Sequence, residues 1–349
     1  MKRMIAGVLL LAALLLAAAL ADGEPVPVGD PGGLRRMAED PGGSYVLTAD
    51  IDMEGEPWTP IVFSGILDGN GHTIYNLSVT APGEAVRTAY DGNKKPYETR
   101  FAGLFSVLEN ATVRDLRLVG AHVDVTSDTH CFAALLTGYM DRTTLENVTV
   151  DGRVHLVSRG VMTGVGGLAG YGCGRFVGCT VRAEMVFEDE NRETKCEQFL
   201  GGVLACGICS IENCSVWVDG YVSCHGYCHN GGLMGMYFHC NTGYKRGPVN
   251  GNTIGGRITF FEDNRDRRAY CRAGIGEHLN KPTQTRRNNA RQFKKKEVRK
   301  YDTVLRPEQC AEPVYAVTVI PPRDGEWGWT EHTCETCGYT WRDHYTGPR

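Results

Sequence analysis

Residues 147–181 read NVTVDGRVHLVSRGVMTGVGGLAGYGCGRFVGCTV. The stretch opens and closes on the same short pattern, a turn-former followed by apolar, polar and aliphatic residues. Within NVTV, Val148 and Val150 share one face of an extended strand and Thr149 points to the other, because successive side chains of a strand alternate. Asp151-Gly152 then supplies a turn signal, Val154 to Val157 a second short strand, and Gly166-Gly167-Leu168 a small-small-apolar unit before the pattern returns as GCTV.

The pattern recurs along the chain as NLSV (Asn76–Val79), DLRL (Asp115–Leu118), NVTV, GCTV (Gly178–Val181), NCSV (Asn213–Val216) and GNTI (Gly251–Ile254). Its closing aliphatic residues stand 39, 32, 31, 35 and 38 residues apart. The small-small-apolar unit precedes five of the copies, as Ala102-Gly103-Leu104, Ala133-Ala134-Leu135, Gly166-Gly167-Leu168, Gly201-Gly202-Val203 and Gly231-Gly232-Leu233. A unit of this length is too small to hold a core of its own and must bury its apolar side against neighbouring copies. Short β-branched segments broken by glycine argue against helical and leucine-rich repeats. The expected fold is all-β, a right-handed parallel β-helix of about six to seven coils. Six stacked inward positions at strand spacing give a rod of roughly 25 to 30 Å. The 44 glycines among 349 residues recur at intervals instead of forming a flexible tract, which also points to a repeat.

The stretch from Tyr45 to Val79, with YVLTADIDM, WTPI and FSGILDGNGHTIYNLSV, resembles the opening of bacterial surface proteins that carry GLUG-type repeats, a group overlapping the amino-terminal regions of IgA-peptidase-like proteins. FAGLFSVLENATVRDLRLVG and VGGLAGYGCGRFVGCTV are similar to the GLUG repeats themselves. The resemblance spans roughly residues 45–260 and implies a pectin-lyase-like β-helix used as a secreted or cell-surface module. The high cysteine content departs from that group.

Around the repeat, residues 1–21 read as a signal peptide: Lys2 and Arg3, an apolar run from Met4 to Leu20, and Ala19-Leu20-Ala21 as a small-x-small cleavage site. A retained anchor is the alternative, since the apolar run approaches the roughly 18 residues of a span. Cleavage predicts an exported, cysteine-rich protein with no integral membrane span. Residues 22–44 read as a cap for the exposed strand edges at that end, with Asp30 as N-cap, Pro31 at the first helical position, and Leu34 and Met37 facing the stack. The β-helix is expected over 45–280, a basic loop or insertion over 281–305, and a β-rich Cys/His tail over 306–349. Net charge of −4 with 22% charged residues points to no nucleic-acid partner.

Fourteen cysteines give three candidate groups. Cys179 and Cys214 occupy the same inward site in successive coils, about 5 Å apart, and form either a disulfide or a ladder of buried thiols. Cys224, His225, Cys228, His229, His239 and Cys240 crowd soft ligands into seventeen residues. His332, Cys334, Cys337 and His344 make H-x-C-x2-C-x6-H, which could hold a structural zinc; a lone C-x2-C is half of a zinc ribbon. Catalytic signatures are missing: neither H-E-x-x-H nor G-x-S-x-G occurs. Asp68 and His72 in DGNGHTI could form an acid and base pair but suit a tight turn better. The sequons at Asn76, Asn110, Asn147 and Asn213 read as turns leading into strands. The outward row Arg117, Thr149, Thr180 and Ser215 holds no acid, so it offers a binding face without a calcium site or proton shuttle. The resulting expectation is a non-catalytic, adhesin-like module for carbohydrate or a host surface protein; the alternative is a β-helix polysaccharide lyase or hydrolase.

Overall fold

The computed structural model describes residues 24–90, 94–191, 196–224, 226–238, 243–262, 269–279, 281–298, 314–321, 328–336 and 340–346. The expected signal segment lies outside them, and no helix among the described residues is long and apolar enough to cross a membrane.

The chain is a parallel β-helix. Three long sheets of thirteen, nine and seven strands form its faces, and each central coil contributes to all three. One coil runs from Thr137–Glu146 on the thirteen-stranded face through Thr149–Ser158 on the nine-stranded face to Met162–Gly166 on the seven-stranded face. The next coil repeats it with Ala169–Val177, Thr180–Asp189 and Glu197–Gly201. Equivalent residues pair in parallel: Leu118 with Val150, Val150 with Val181, Val181 with Val216, and Val216 with Ile254. All five are buried, so the period-two register read from the sequence holds.

The first residue of each repeat pattern has a positive φ: Asn76 56°, Asp115 51°, Asn147 54°, Gly178 63°, Asn213 56° and Gly251 70°. This left-handed conformation is open to Gly, Asn and Asp and strained for most other residues. The position therefore holds only those three types, and three of the four sequons follow from it; the fourth, Asn110, is also left-handed at 53°. The residue that follows turns inward, giving a buried ladder of Leu77, Leu116, Val148, Cys179, Cys214 and Asn252.

The small-small-apolar units form the corner between the seven- and thirteen-stranded faces. Leu104, Leu135, Leu168, Val203 and Leu233 are all buried there. A Cβ on Gly201 would lie 2.0 Å from the Leu204 carbonyl oxygen, a distance no side chain tolerates. At Gly201 the chain turns back too tightly for a side chain, whereas the equivalent corner one coil before Gly166 holds Ala134. Outside it runs an aromatic ladder in which Phe132 stacks on Phe199 (6.0 Å between centroids), Phe199 on His229 (5.2 Å) and His229 on Tyr270 (5.6 Å).

At the N-terminal end the helix Pro31–Arg36 forms as expected. Asp30 accepts a hydrogen bond from the Gly33 amide at 2.6 Å, and Leu34 and Met37 are buried. Residues 281–298, expected as a basic loop, instead continue the stack. Thr285–Arg286 pairs with Val249–Asn250, and Asn289–Val298 pairs in parallel with Thr253–Glu262. The lysines hid the strand because, among the described residues, it is the edge of its sheet, where charge discourages further pairing and apolar side chains are not demanded from beyond. The tail contributes a separate antiparallel sheet of Tyr315–Ile320, Gly328–Cys334 and Thr340–Thr346.

Candidate functional site

The nine-stranded face carries the candidate site. Arg117, Thr149, Thr180 and Ser215 are consecutive partners in the ladder, and Thr253 extends the row. The strands behind them run about ten residues, so further outward rows follow at two-residue steps. The next row reads Asp151, Arg182, Trp217, Gly255 and Gln292, and the one beyond it His122, Arg153, Glu184, Asp219 and Arg257.

These rows enclose an open groove of about 700 Å³, lined by His122, Asp151, Arg182, Glu184, Trp217 and Gln292 among others. Its floor is low because Gly152, Ala183 and Gly255 bring little or no side chain to it. The groove therefore holds Asp151, Glu184 and Asp219, which corrects the picture of an acid-free outer face drawn from the first row alone. The missed residues were legible at the second and third outward positions of each strand, two and four residues after the row that was read. Arg153 Nε stands 3.7 Å from Glu184 Oε1, so that carboxylate is matched by a cation.

Register shifts on the long strands of this face occur at the two ends of the groove. One lies between Val119 and Ala121, where Gly120 has φ 66°, and brings His122 beside Arg153. The other lies between the Thr253–Asn289 and Gly255–Gln292 pairs and brings Gln292 beside Gly255. The three long strands between them pair without interruption. Bulges of this kind re-aim side chains and concentrate next to functional sites.

The other candidates fare differently. Asp68 and His72 do not face each other as acid and base. Asp68 pairs with Arg114 at 2.8 Å and accepts from the Asn70 amide at 2.8 Å, while His72 lies 3.3 Å from Asp50. Cys179 and Cys214 are both free and buried. Their mutual hydrogen bond, aided by burial, pushes the Cys179 thiol well above its ordinary pKa.

Of the dense Cys/His group, His225, His239 and Cys240 lie outside the described residues, as does the Cys224 side chain. Cys228 is disulfide-bonded and so offers no thiolate to a metal. His229 is held between aromatic rings, with its Nδ1 2.7 Å from Glu277 Oε2. In the tail, His332 and Cys334 lie two residues apart on one strand and share a face, with Cys334 buried. Cys337 and the His344 side chain lie outside the described residues. Among the described residues no group of three His, Cys, Asp or Glu side chains is placed to hold a metal ion.

No protein-family model matches the sequence, and no curated protein matches it.

Proposed function

We propose that this chain is an exported or cell-surface β-helix module, of the kind GLUG-repeat proteins carry, that binds extended glycan along its nine-stranded face. The observation that carries the reading is the groove of about 700 Å³ across that face, bounded by a bulge at each end and lined by hydroxyls, guanidinium groups, carboxylates and one exposed indole. Its size falls within the roughly 300 to 1,000 Å³ of small-ligand sites. Polar groups repeat down the stack at strand spacing, so a polymer meets similar partners coil after coil, and affinity grows with polymer length as contacts act together. The basic start and apolar run at residues 2–20 support export.

A lyase or hydrolase acting in the same groove is the second reading, favoured by Asp151, Glu184 and Asp219. It ranks second because Glu184 is engaged by Arg153 at 3.7 Å, a pairing that suits binding better than proton transfer. Affinity electrophoresis and calorimetry against a panel of purified neutral and acidic polysaccharides test the first reading, and product analysis of the same mixtures tests the second. Length-dependent binding with intact polymer is expected. Absence of binding across the panel refutes the glycan reading, and shortened or unsaturated products that vanish on Glu184→Gln establish the enzyme.

A further inference from the structure

Trp217 is the large aromatic side chain of the groove, and it is 46% exposed on a face where most outward residues are polar. Its seat is specific. A Cβ on Gly255, the next residue in the row, would lie 2.5 Å from Trp217 Cε3 and 2.7 Å from Cζ3. The indole therefore lies down on the bare backbone of Gly255, with its opposite face turned to solvent. Gln292 reaches the same spot because the bulge in its strand puts it beside Gly255. On the other side of the indole, Arg182 occupies the preceding rung and Asp219 the next outward position of the same strand.

We propose that Trp217 is a stacking platform for one ring of a neutral hexopyranose chain, with Arg182, Asp219 and Gln292 hydrogen-bonding that ring's hydroxyls. This assignment rests on the glycan-binding reading and makes it specific. An indole face carries negative electrostatic potential, and a pyranose ring presents a patch of weakly positive C–H groups on its flatter side. An exposed, rigidly seated ring receives such a patch at small entropic cost. Hydroxyls at the ring's rim both donate and accept, which suits a border of one guanidinium, one carboxylate and one carboxamide. The charge pattern selects against uronic acids. Arg153 pairs with Glu184, and Asp151 neighbours Arg182 and Asp219 neighbours Arg257 in the ladder, so each of these cations faces an acid and none is in surplus for a carboxylate on every ring.

The test uses the full chain with hexamers of β-1,4-linked glucose, mannose and xylose and of galacturonic acid, read by calorimetry, with thermal melting of each variant as the folding control. Trp217→Ala should weaken binding of the preferred neutral hexamer about tenfold, and Trp217→Phe should retain most of it. Gly255→Ala, which forces the indole off its seat while keeping it present, should fall between the two. All three melts should match the parent, since the ring is on the surface. Unchanged affinity in Trp217→Ala alongside glycan binding by the parent overturns the platform and leaves the glycan reading standing. Tighter binding of the galacturonate hexamer overturns the neutral assignment. No binding of any glycan, or Trp217-dependent capture of a host surface protein in their place, removes both.

Discussion

Val150→Asp is the sharpest test of the coil register. Val150 is fully buried between Leu118 and Val181, with no polar side chain opposite it in either neighbouring coil. Removing the valine forfeits about 2 kcal/mol of apolar burial. An ionised carboxylate is not sustained there, so the aspartate folds in its neutral form, and holding a group of ordinary pKa near 3.9 neutral at pH 7 costs about 4 kcal/mol more. The combined loss of about 6 kcal/mol reaches the lower range of a whole domain's stability, roughly 5 to 15 kcal/mol. Thr149→Asp, one residue away, faces solvent beside Arg117 and should fall within about 0.5 kcal/mol of the parent.

The pH dependence separates charge burial from simple misfit. A buried acid has its folded pKa raised, so its penalty is absent below the unfolded value near 3.9 and grows as pH rises through that value. The gap between Val150→Asp and its uncharged isostere Val150→Asn should therefore be widest at pH 7 and close towards pH 4. Thermal and urea melts of the four proteins at both pH values make the measurement. Equal tolerance of aspartate at 149 and 150, or a gap indifferent to pH, refutes the register.

Three further outcomes follow. Burial pushes the thiols of Cys131 and Cys271 up to about 12, so the folded protein should resist iodoacetamide at these two positions at pH 8 and react only when denatured, as peptide mapping would reveal; prompt native labelling contradicts their burial. The hydrogen bond from His229 holds Glu277 below its ordinary 4.5, a stabilisation present above that pH and lost as pH falls through the depressed value. The stability difference between the parent and His229→Phe should accordingly shrink below pH 4.5, and a difference constant with pH would count against the pair. Gly201→Ala should cost far more than Gly71→Ala in thermal melts, because a Cβ on Gly201 would meet the Leu204 carbonyl oxygen at 2.0 Å whereas Gly71, at φ 78°, has open space and bears only the left-handed penalty of about 1 kcal/mol; similar losses would mean the corner relaxes freely.

What the sequence disclosed divides along the inside and outside of the coil. Inward positions repeat because each must match the rung above and below it, so Leu118, Val150, Val181 and Val216 could be aligned and their register derived. The turn position was equally legible, since a positive φ admits so few residue types. Outward positions obey no such constraint. Asp151, Arg182 and Trp217 occupy one row and share no property, so no periodic signal marks them as a set. Reading the first outward position of each strand recovered a true row but not the groove, which depends on the depth left by Gly152 and Gly255 and on two bulges that shift side chains by one place.

The same reasoning explains how the stack ends. A parallel coil with an apolar interior invites another coil, and what stops the repeat must be written into the inward ladders. The ladder of Leu77, Leu116 and Val148 passes through the two cysteines and becomes Asn252, buried, donating to the Ile211 carbonyl at 2.9 Å and accepting from the Cys214 amide at 2.8 Å. Asn288 follows it, accepting from Asn252 and donating to the Val249 carbonyl. On the nine-stranded face the inward row of Val154, Met185, Gly220 and Ile258 ends, among the described residues, in Lys295, which is exposed. An inward asparagine still satisfies a coil on each side, because its carboxamide bonds backbone of the preceding coil and the asparagine side chain of the next. An inward lysine satisfies only one, since a further coil would have to bury its ammonium. The polar residues that made residues 281–298 look like a loop are therefore the terminating rungs, and the N-terminal end reaches the same result differently, by laying Leu34 and Met37 of a short helix against its first strands.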